Sequence, residues 1–479
     1  MVFGTLEIWL LLPLFLILYY LLPHRFRWTV LLTGSFLYLG YYSVPFLVYA
    51  VVYALANYLF GFILDRQSNQ VFRKRLYLFF LILNIGQLVF YKYINFLIEN
   101  LNWVASSFSN ESIPYLDILV PIGISYYTFQ CIGYIVNIYR RTEKPEKHAG
   151  YFLIYNLFFP KILSGPIERS ERFLPQLRNP SPFSEVKFKM GLKLILFGFF
   201  KKLVIAERLG VIVNNVYGNL DEYTGFALVI VMLIQAIYIY ADFSGYTDIA
   251  LGIAGLFGIS LTDNFNRPFF ARNVSEFWRR WHISLSMWCN DYIFKTIIFK
   301  RRRWGKMASV YGVFITFLVI GIWHGAMWTF VVLGLLQGIA INYEFFTKRK
   351  RLTIGAKLPR LMNDTLSRLF TYVFFSFSLI FFFSHSFGDS IYFVTHLFDL
   401  RDLVIVGNDL GLELRHVWIA AIAIIVLLVI EFIEEEGFSI LDYIHSQPLW
   451  LRWVIYYGII IIIIMYGQFA TTNFIYIQF

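Results

Sequence analysis

The chain reads as an all-α polytopic membrane protein, and three observations carry that reading. Hydrophobic residues fill 58% of its 479 positions and charged residues only 15%, whereas soluble domains carry about a quarter charged. Mean hydropathy is +0.63, and many apolar stretches approach the roughly 20 residues a helix needs to cross the hydrocarbon core. Leu-Ile-Val runs such as Ala421–Ile430 do not alternate as the strands of a membrane barrel do.

The first spans are expected at Leu6–Leu22, Trp28–Tyr42, Pro45–Leu64 and Leu76–Ile98. The first lacks a basic leader and a small-residue cleavage site, so it reads as a retained span. The second is short enough to be tilted or only partly inserted. His24 to Arg27 and the Asp65–Arg75 loop are basic, whereas Glu99–Asp117 carries acids and no Lys or Arg. The positive-inside rule then places the basic loops in the cytoplasm and the N-terminus outside.

Pro121–Tyr139 is apolar but studded with Pro121, Gly123, Ser125, Thr128, Gln130, Gly133 and Asn137. Small and polar residues of this kind suit a helix facing a bundle interior rather than lipid. Arg140, Arg141, Lys144 and Lys147 follow, assigned to the cytoplasm. Asn156–Gly165, with its proline, lysine and glycine, is expected to be re-entrant, because irregular backbone at membrane depth needs shielding by protein or water. Ser181–Lys202 starts polar and becomes an apolar helix bracketed by lysines.

Phe226–Tyr240 is a span that runs into Asp242 and Asp248, placed around Ser244-Gly245. Carboxylates so near an apolar run are functional candidates; the alternative is that they cap helices flanking the glycine. Beyond a polar turn at Asn264–Arg272, spans are expected at Val310–Ile322, Met327–Phe346, Leu369–Phe387, Trp418–Phe432 and Val454–Met465. The total is about eleven transmembrane helices plus re-entrant and interfacial pieces. The Gly388–Arg415 loop and the C-terminus are placed outside. With no internal repeat, low-complexity tract or soluble domain, residues 1–479 read as one integral membrane domain.

The net charge of +11 is spread over several short loops, which fits a membrane protein and argues against a nucleic-acid partner. Cys131 and Cys289 offer neither metal-ligand spacing nor a disulfide framework. Each reads as a small packed side chain, with S-acylation as the alternative for Cys289.

The stretch Glu276–Ala326 stands out. Two of the eight histidines, His282 and His324, each follow a tryptophan there, and Lys300–Lys306 lies between them. Read as one helix, Phe277–Trp288 puts Trp278, Trp281, Leu285 and Trp288 on an apolar stripe and Arg279, His282 and Ser286 on an adjoining face. On composition alone the element reads rather as an interfacial anchor, with tryptophans at headgroup level. His324 lies between two apolar stretches and is bounded by Gly321 and Gly325. From Ala308 to Tyr343 no other residue is ionisable, tyrosine apart. An imidazole there costs free energy unless it has partners. It is either a hydrogen-bonded core residue or a general base for a hydroxyl, since its unperturbed pKa of about 6.5 needs little tuning.

Competing motifs are missing: there is no G-x-S-x-G elbow, no H-E-x-x-H and no G-x-x-x-x-G-K-[ST] loop. Neither histidine has an aspartate at the fifth position after it, and no third ligand completes a metal site.

Several words taken together resemble the membrane-bound O-acyltransferase family, in particular its bacterial polysaccharide branch. They are P-I-G-I-S-Y-Y-T-F-Q at 121–130, S-G-P-I-E-R at 164–169 and D-F-S-G-Y-T-D-I-A-L-G at 242–252. They continue with N-F-N-R-P-F at 264–269, F-W-R-R-W-H-I-S-L-S at 277–286 and W-H-G-A at 323–326. The terminal F-I-Y-I-Q-F resembles the aromatic ending of the same branch. The match places a core at residues 115–345.

The resemblance implies a ring of tilted helices around a central tunnel. It implies His324 as catalytic and His282 as the second active-site histidine. Trp323, Trp281, Arg279, Arg280, Ser286, Asp291, Asp242 and Gln130 are the expected substrate-binding positions. No bound cofactor or metal is implied; acetyl-CoA or another acyl thioester is the donor, arriving from the cytoplasm. The acceptor is expected to be a hydroxyl on an exported or cell-wall polysaccharide, reached directly or through a separate periplasmic or extracellular acyl-accepting protein. The protein then sits, multi-pass, in the inner or plasma membrane, with membrane lipids as its other partners. Lys300–Lys306 and Lys348–Arg360 would attract CoA phosphates or merely fix orientation. D-alanyl transfer to teichoic acid is the rival within the family, and a non-catalytic transporter or flippase the rival outside it.

Overall fold

The computed structural model describes residues 6–108, 112–399 and 410–469. The aromatic ending and residues 400–409 of the expected outer loop lie outside the described residues. Among the described residues the regular structure is helical, apart from one isolated bridge between Phe265 and Trp281.

Eight of the described helices are long and apolar enough to cross a membrane. They are Val44–Asp65, Gln70–Ala105, Gly225–Leu256, Lys306–His324, Trp328–Gly355, Arg360–Phe383, Leu414–Glu435 and Leu449–Tyr466. Some other expected spans form shorter helices, Leu6–Leu21, Arg27–Tyr42 and Ile124–Arg140, of 16, 16 and 17 residues, below a full crossing. Large apolar side chains remain exposed along these helices, among them Leu10, Ile82, Trp450 and Ile464. A surface so apolar is stable only against lipid, so the protein is a multi-pass membrane protein.

Local chemistry sets the helix starts. Ser43 accepts from the Phe46 amide to cap Val44–Asp65, with Pro45 in its first turn. Asn69 Oδ1 accepts from Val71 and Phe72 at 2.9 and 3.1 Å to cap Gln70–Ala105. Ser386 and Asp389 form a capping box on Phe387–His396.

The chain divides into two compact units. One comprises, of the described residues, 6–108, 112–192 and 250–262. In it the Ala149–Leu157 helix gives way to irregular turns through Gly165, every residue of which is buried. This is the backbone shape expected for Asn156–Gly165. Lys161 is fully buried there, donating to Gln130 Oε1 and, at 2.6 Å, to the Tyr155 carbonyl. Cys131 is buried in the same unit.

The other unit holds, of the described residues, 193–249, 263–399 and 410–469. Its core gathers side chains from Phe200–Tyr217, Leu228–Ala241, Phe277, Trp281, Phe330 and Phe375–Phe382. Asp242 and Asp248 do not cap helices, as one reading of the sequence had it. Both sit inside the unbroken Gly225–Leu256 helix, because Gly245 permits close packing without ending it: a Cβ there would meet the Gly198 carbonyl at 2.9 Å. Lys202 pairs with Asp242 and, at 3.0 Å, with Glu207, while Lys201 pairs with Asp248 at 2.6 Å. These lysines lie on a π-helical turn, Phe200–Ala206. Pairing offsets the cost of placing such charges away from water.

Candidate active site

The expected continuous helix over Phe277–Trp288 is broken at its middle. Val274–Arg280 and Ile283–Cys289 are separate short helices. Asn273 caps the first by accepting from the Glu276 amide at 2.8 Å. Between them His282 takes a left-handed backbone, φ +42°, a conformation that costs a non-glycine residue about 1–2 kcal/mol. The break is imposed from outside the segment. Asn266 N–H donates to the Arg280 carbonyl at 2.9 Å, and Ile283 N–H to the Asn264 carbonyl at 3.0 Å. Asn264 Oδ1 accepts from Ser284 Oγ at 2.6 Å and from its amide at 3.2 Å. The segment is no interfacial anchor either, since Phe277, Trp281, His282, Leu285 and Trp288 are all buried.

The break turns His282 inward, 1% exposed. Its ring meets Phe243 edge-on at 4.8 Å and Trp323 at 5.8 Å. Burial pushes the imidazole pKa down to about 3, so the ring is neutral at physiological pH.

His324 is the last residue of Lys306–His324 and is buried. Its ring lies 4.9 Å from Trp323, 5.5 Å from Phe382 and 6.4 Å from Phe330. The Trp323 indole therefore neighbours both imidazoles. Close helix crossing makes this possible. A Cβ on Gly321 would meet the Phe330 carbonyl at 2.3 Å, and one on Gly334 the Phe317 carbonyl at 2.4 Å. A Cβ on Gly325 would strike the Phe330 ring at 2.0 Å.

His324 lines a narrow cavity of about 30 Å³ whose walls include Trp278, Trp281, Phe317, Gln337 and Phe382. A larger, open groove of about 660 Å³ runs alongside, lined by Arg279, Ser286, Met287, Asn290, Phe294 and Thr316 among others.

The expected binding residues divide accordingly. Trp281 lines the cavity and Trp323 packs on the His324 ring. Arg279 is exposed, and it and Ser286 line the groove. Arg280 lines neither; its guanidinium binds both oxygens of Glu435 at 2.8 and 2.9 Å and Glu276 at 2.7 Å. Asp291 pairs with Lys295 at 2.7 Å, and Asp242 is engaged by Lys202. Gln130 belongs to the other unit. Cys289, considered for acylation, is buried. Among the described residues no group of His, Cys, Asp and Glu could hold a metal ion.

Sequence reasoning passed over Trp278 as part of an apolar stripe, took Asn264 only as the start of a polar turn, and missed Gln337 altogether. Gln337 carried a usable signal, an amide within an apolar span. Asn264 lies inside the N-F-N-R-P-F word, whose contacts no spacing rule reveals.

The profile of the membrane-bound O-acyltransferase family matches residues 146–387. A probable alginate O-acetylase AlgI of Azotobacter vinelandii is 34% identical over 347 residues, covering 72% of this chain and 68% of that protein. The chain belongs to the membrane-bound O-acyltransferase family. As an acyltransferase it is an enzyme, and the transporter reading falls. A peptidoglycan O-acetyltransferase of Helicobacter pylori is 29% identical over 74% of this acyltransferase and 70% of its own length. A teichoic acid D-alanyltransferase of Bacillus subtilis is 32% identical over 47% of this chain and 60% of its own.

Proposed function

We propose that this acyltransferase moves an acetyl group from a cytoplasmic thioester, acetyl-CoA or an acyl carrier, to a hydroxyl of an exported or cell-wall polysaccharide. A separate protein outside the membrane receives the group where transfer is not direct. The acetyl reading draws support from relatives named alginate and peptidoglycan O-acetylases, which align over 72% and 74% of the chain, against 47% for the D-alanyltransferase. The observation that carries the mechanism is a buried His324 at a helix end, lining a small cavity beside an open groove.

In this reading the thioester arm lies in the groove, with Arg279 and the Lys300–Lys306 run drawing its phosphates. His324 takes the proton of the acceptor hydroxyl as its oxygen attacks the thioester carbonyl. The C–O bond forms, the C–S bond breaks, and the proton passes to the departing thiolate, leaving an ester and a free thiol. Neutral His282, through Trp323, positions the second ring and takes no proton itself. The basic loops face the cytoplasm of the inner or plasma membrane, with the N-terminus outside.

The test is His324→Ala in the purified protein, supplied with acetyl-CoA and a polysaccharide acceptor. Loss of ester formation by roughly 10²–10⁴-fold is expected for removal of a positioned base; wild-type rates would remove His324 from the chemistry. Transfer of D-alanine but not acetyl from the corresponding thioesters would replace the acetyl reading by the D-alanyl one.

A further inference from the structure

The cavity at His324 and the neighbouring groove share three wall residues, Trp278, Phe317 and Ile320. The largest of them is held in place. Trp278 Nε1 donates to Gln337 Oε1 at 3.0 Å, and the indole packs edge-on against Phe317 at 5.1 Å. Gln337 Nε2 in turn donates to Ser378 Oγ at 2.8 Å, and Ser378 donates to the Phe375 carbonyl at 2.7 Å. A buried amide in an apolar span is costly unless paired. Here its oxygen fixes one indole and its nitrogen is anchored on the Arg360–Ser378 helix.

We propose that Trp278 is a specificity-determining partition, which limits the length of the acyl group that reaches His324 from the groove. The inference rests on the thioester reading above. The space on the His324 side, about 30 Å³, is small beside the groove's 660 Å³, so it suits an acyl group of very few carbons. A donor lying in the groove presents its acyl end to His324 only past this wall. Every further methylene needs volume that the indole fills. Gln337 is a positioning residue, acting through Trp278.

The experiment uses the full-length protein in lipid nanodiscs with a polysaccharide acceptor, acetyl-, butyryl- and hexanoyl-CoA as donors, and thiol release plus ester formation as readouts. The deciding quantity is the ratio of hexanoyl to acetyl transfer, because a merely structural defect lowers both rates and leaves it unchanged. One misfitting methylene is worth roughly 10–200-fold in discrimination. Trp278→Ala is therefore expected to raise the ratio by at least about tenfold, Trp278→Phe by less, and Gln337→Leu in the same direction. If Trp278→Ala does not fold, Trp278→Phe and Gln337→Leu decide. A wild-type ratio in the folded Trp278 variants overturns the partition while leaving the thioester chemistry intact. Wild-type turnover in His324→Ala overturns the reading beneath it and the partition with it.

Discussion

At the scale of single residues, the two tryptophan-histidine pairs meet at one indole, that of Trp323. His282 is held neutral by burial, its pKa near 3 against about 6.5 in an unfolded chain. Between these values the unfolded chain binds a proton that the folded one does not. Stability therefore falls as pH drops from about 6.5 toward 3, by at most about 1.4 kcal/mol per pH unit. Thermal unfolding in detergent from pH 7 to 4 checks this: the melting temperature should decline with acid, and His282→Asn should flatten part of the slope. Asn also tolerates the left-handed backbone, so His282→Asn is expected to be more stable than His282→Val by about 1 kcal/mol or more. Both histidines were legible as candidates, because each is a titratable group in apolar sequence beside tryptophan. Their neighbourhoods were not. Adjacent Arg279 and Arg280 look alike in sequence, yet one is open to the groove and the other is engaged by Glu276 and Glu435, the latter 155 residues away.

At the scale of elements, helix positions could be read from hydropathy, but their ends and breaks could not. The period of Phe277–Trp288 predicts one amphipathic helix, and each half obeys it. The interruption comes from Asn264 and Asn266, whose hydrogen bonds compete with helix continuation. No glycine or proline marks the place. The crossing of Lys306–His324 with Trp328–Gly355 is the opposite case, since Gly321 and Gly334 announce close approach. Gly321→Val or Gly334→Val should push these helices apart, lowering stability by about 1–3 kcal/mol and abolishing transfer. Detergent melting curves and acetyl transfer measure the two effects. A neutral outcome in both would mean the helices separate without cost.

At the scale of the whole molecule, the membrane class was plain from composition, while the buried ion pairs were not. Asp242 and Asp248 announced themselves as carboxylates near an apolar run, but their lysines lie some 40 residues upstream on a π-helical turn. Lys202→Met strands Asp242 and Glu207 without their cation. That should cost about 3–5 kcal/mol, seen as a lower melting temperature; an unchanged value would mean the pair contributes nothing. Orientation has a direct check because Cys131 and Cys289 are buried and give little background. Cysteines at Ser68 and Arg302 should label with a membrane-impermeant maleimide only from the cytoplasmic side, and one at Ser112 only from outside. Labelling with the sides exchanged inverts the proposed topology.

The helix that ends at His324 has 19 residues, a rise of about 28 Å at 1.5 Å per residue. It begins at Lys306, beside the basic run. If that run marks the cytoplasmic face, the imidazole stands nearly a full helix length from it and much nearer the opposite side. The sugar polymer then scarcely needs to leave the aqueous phase to be modified. The journey then falls to the proposed thioester donor, whose long, narrow arm would be shaped for reaching into a slot.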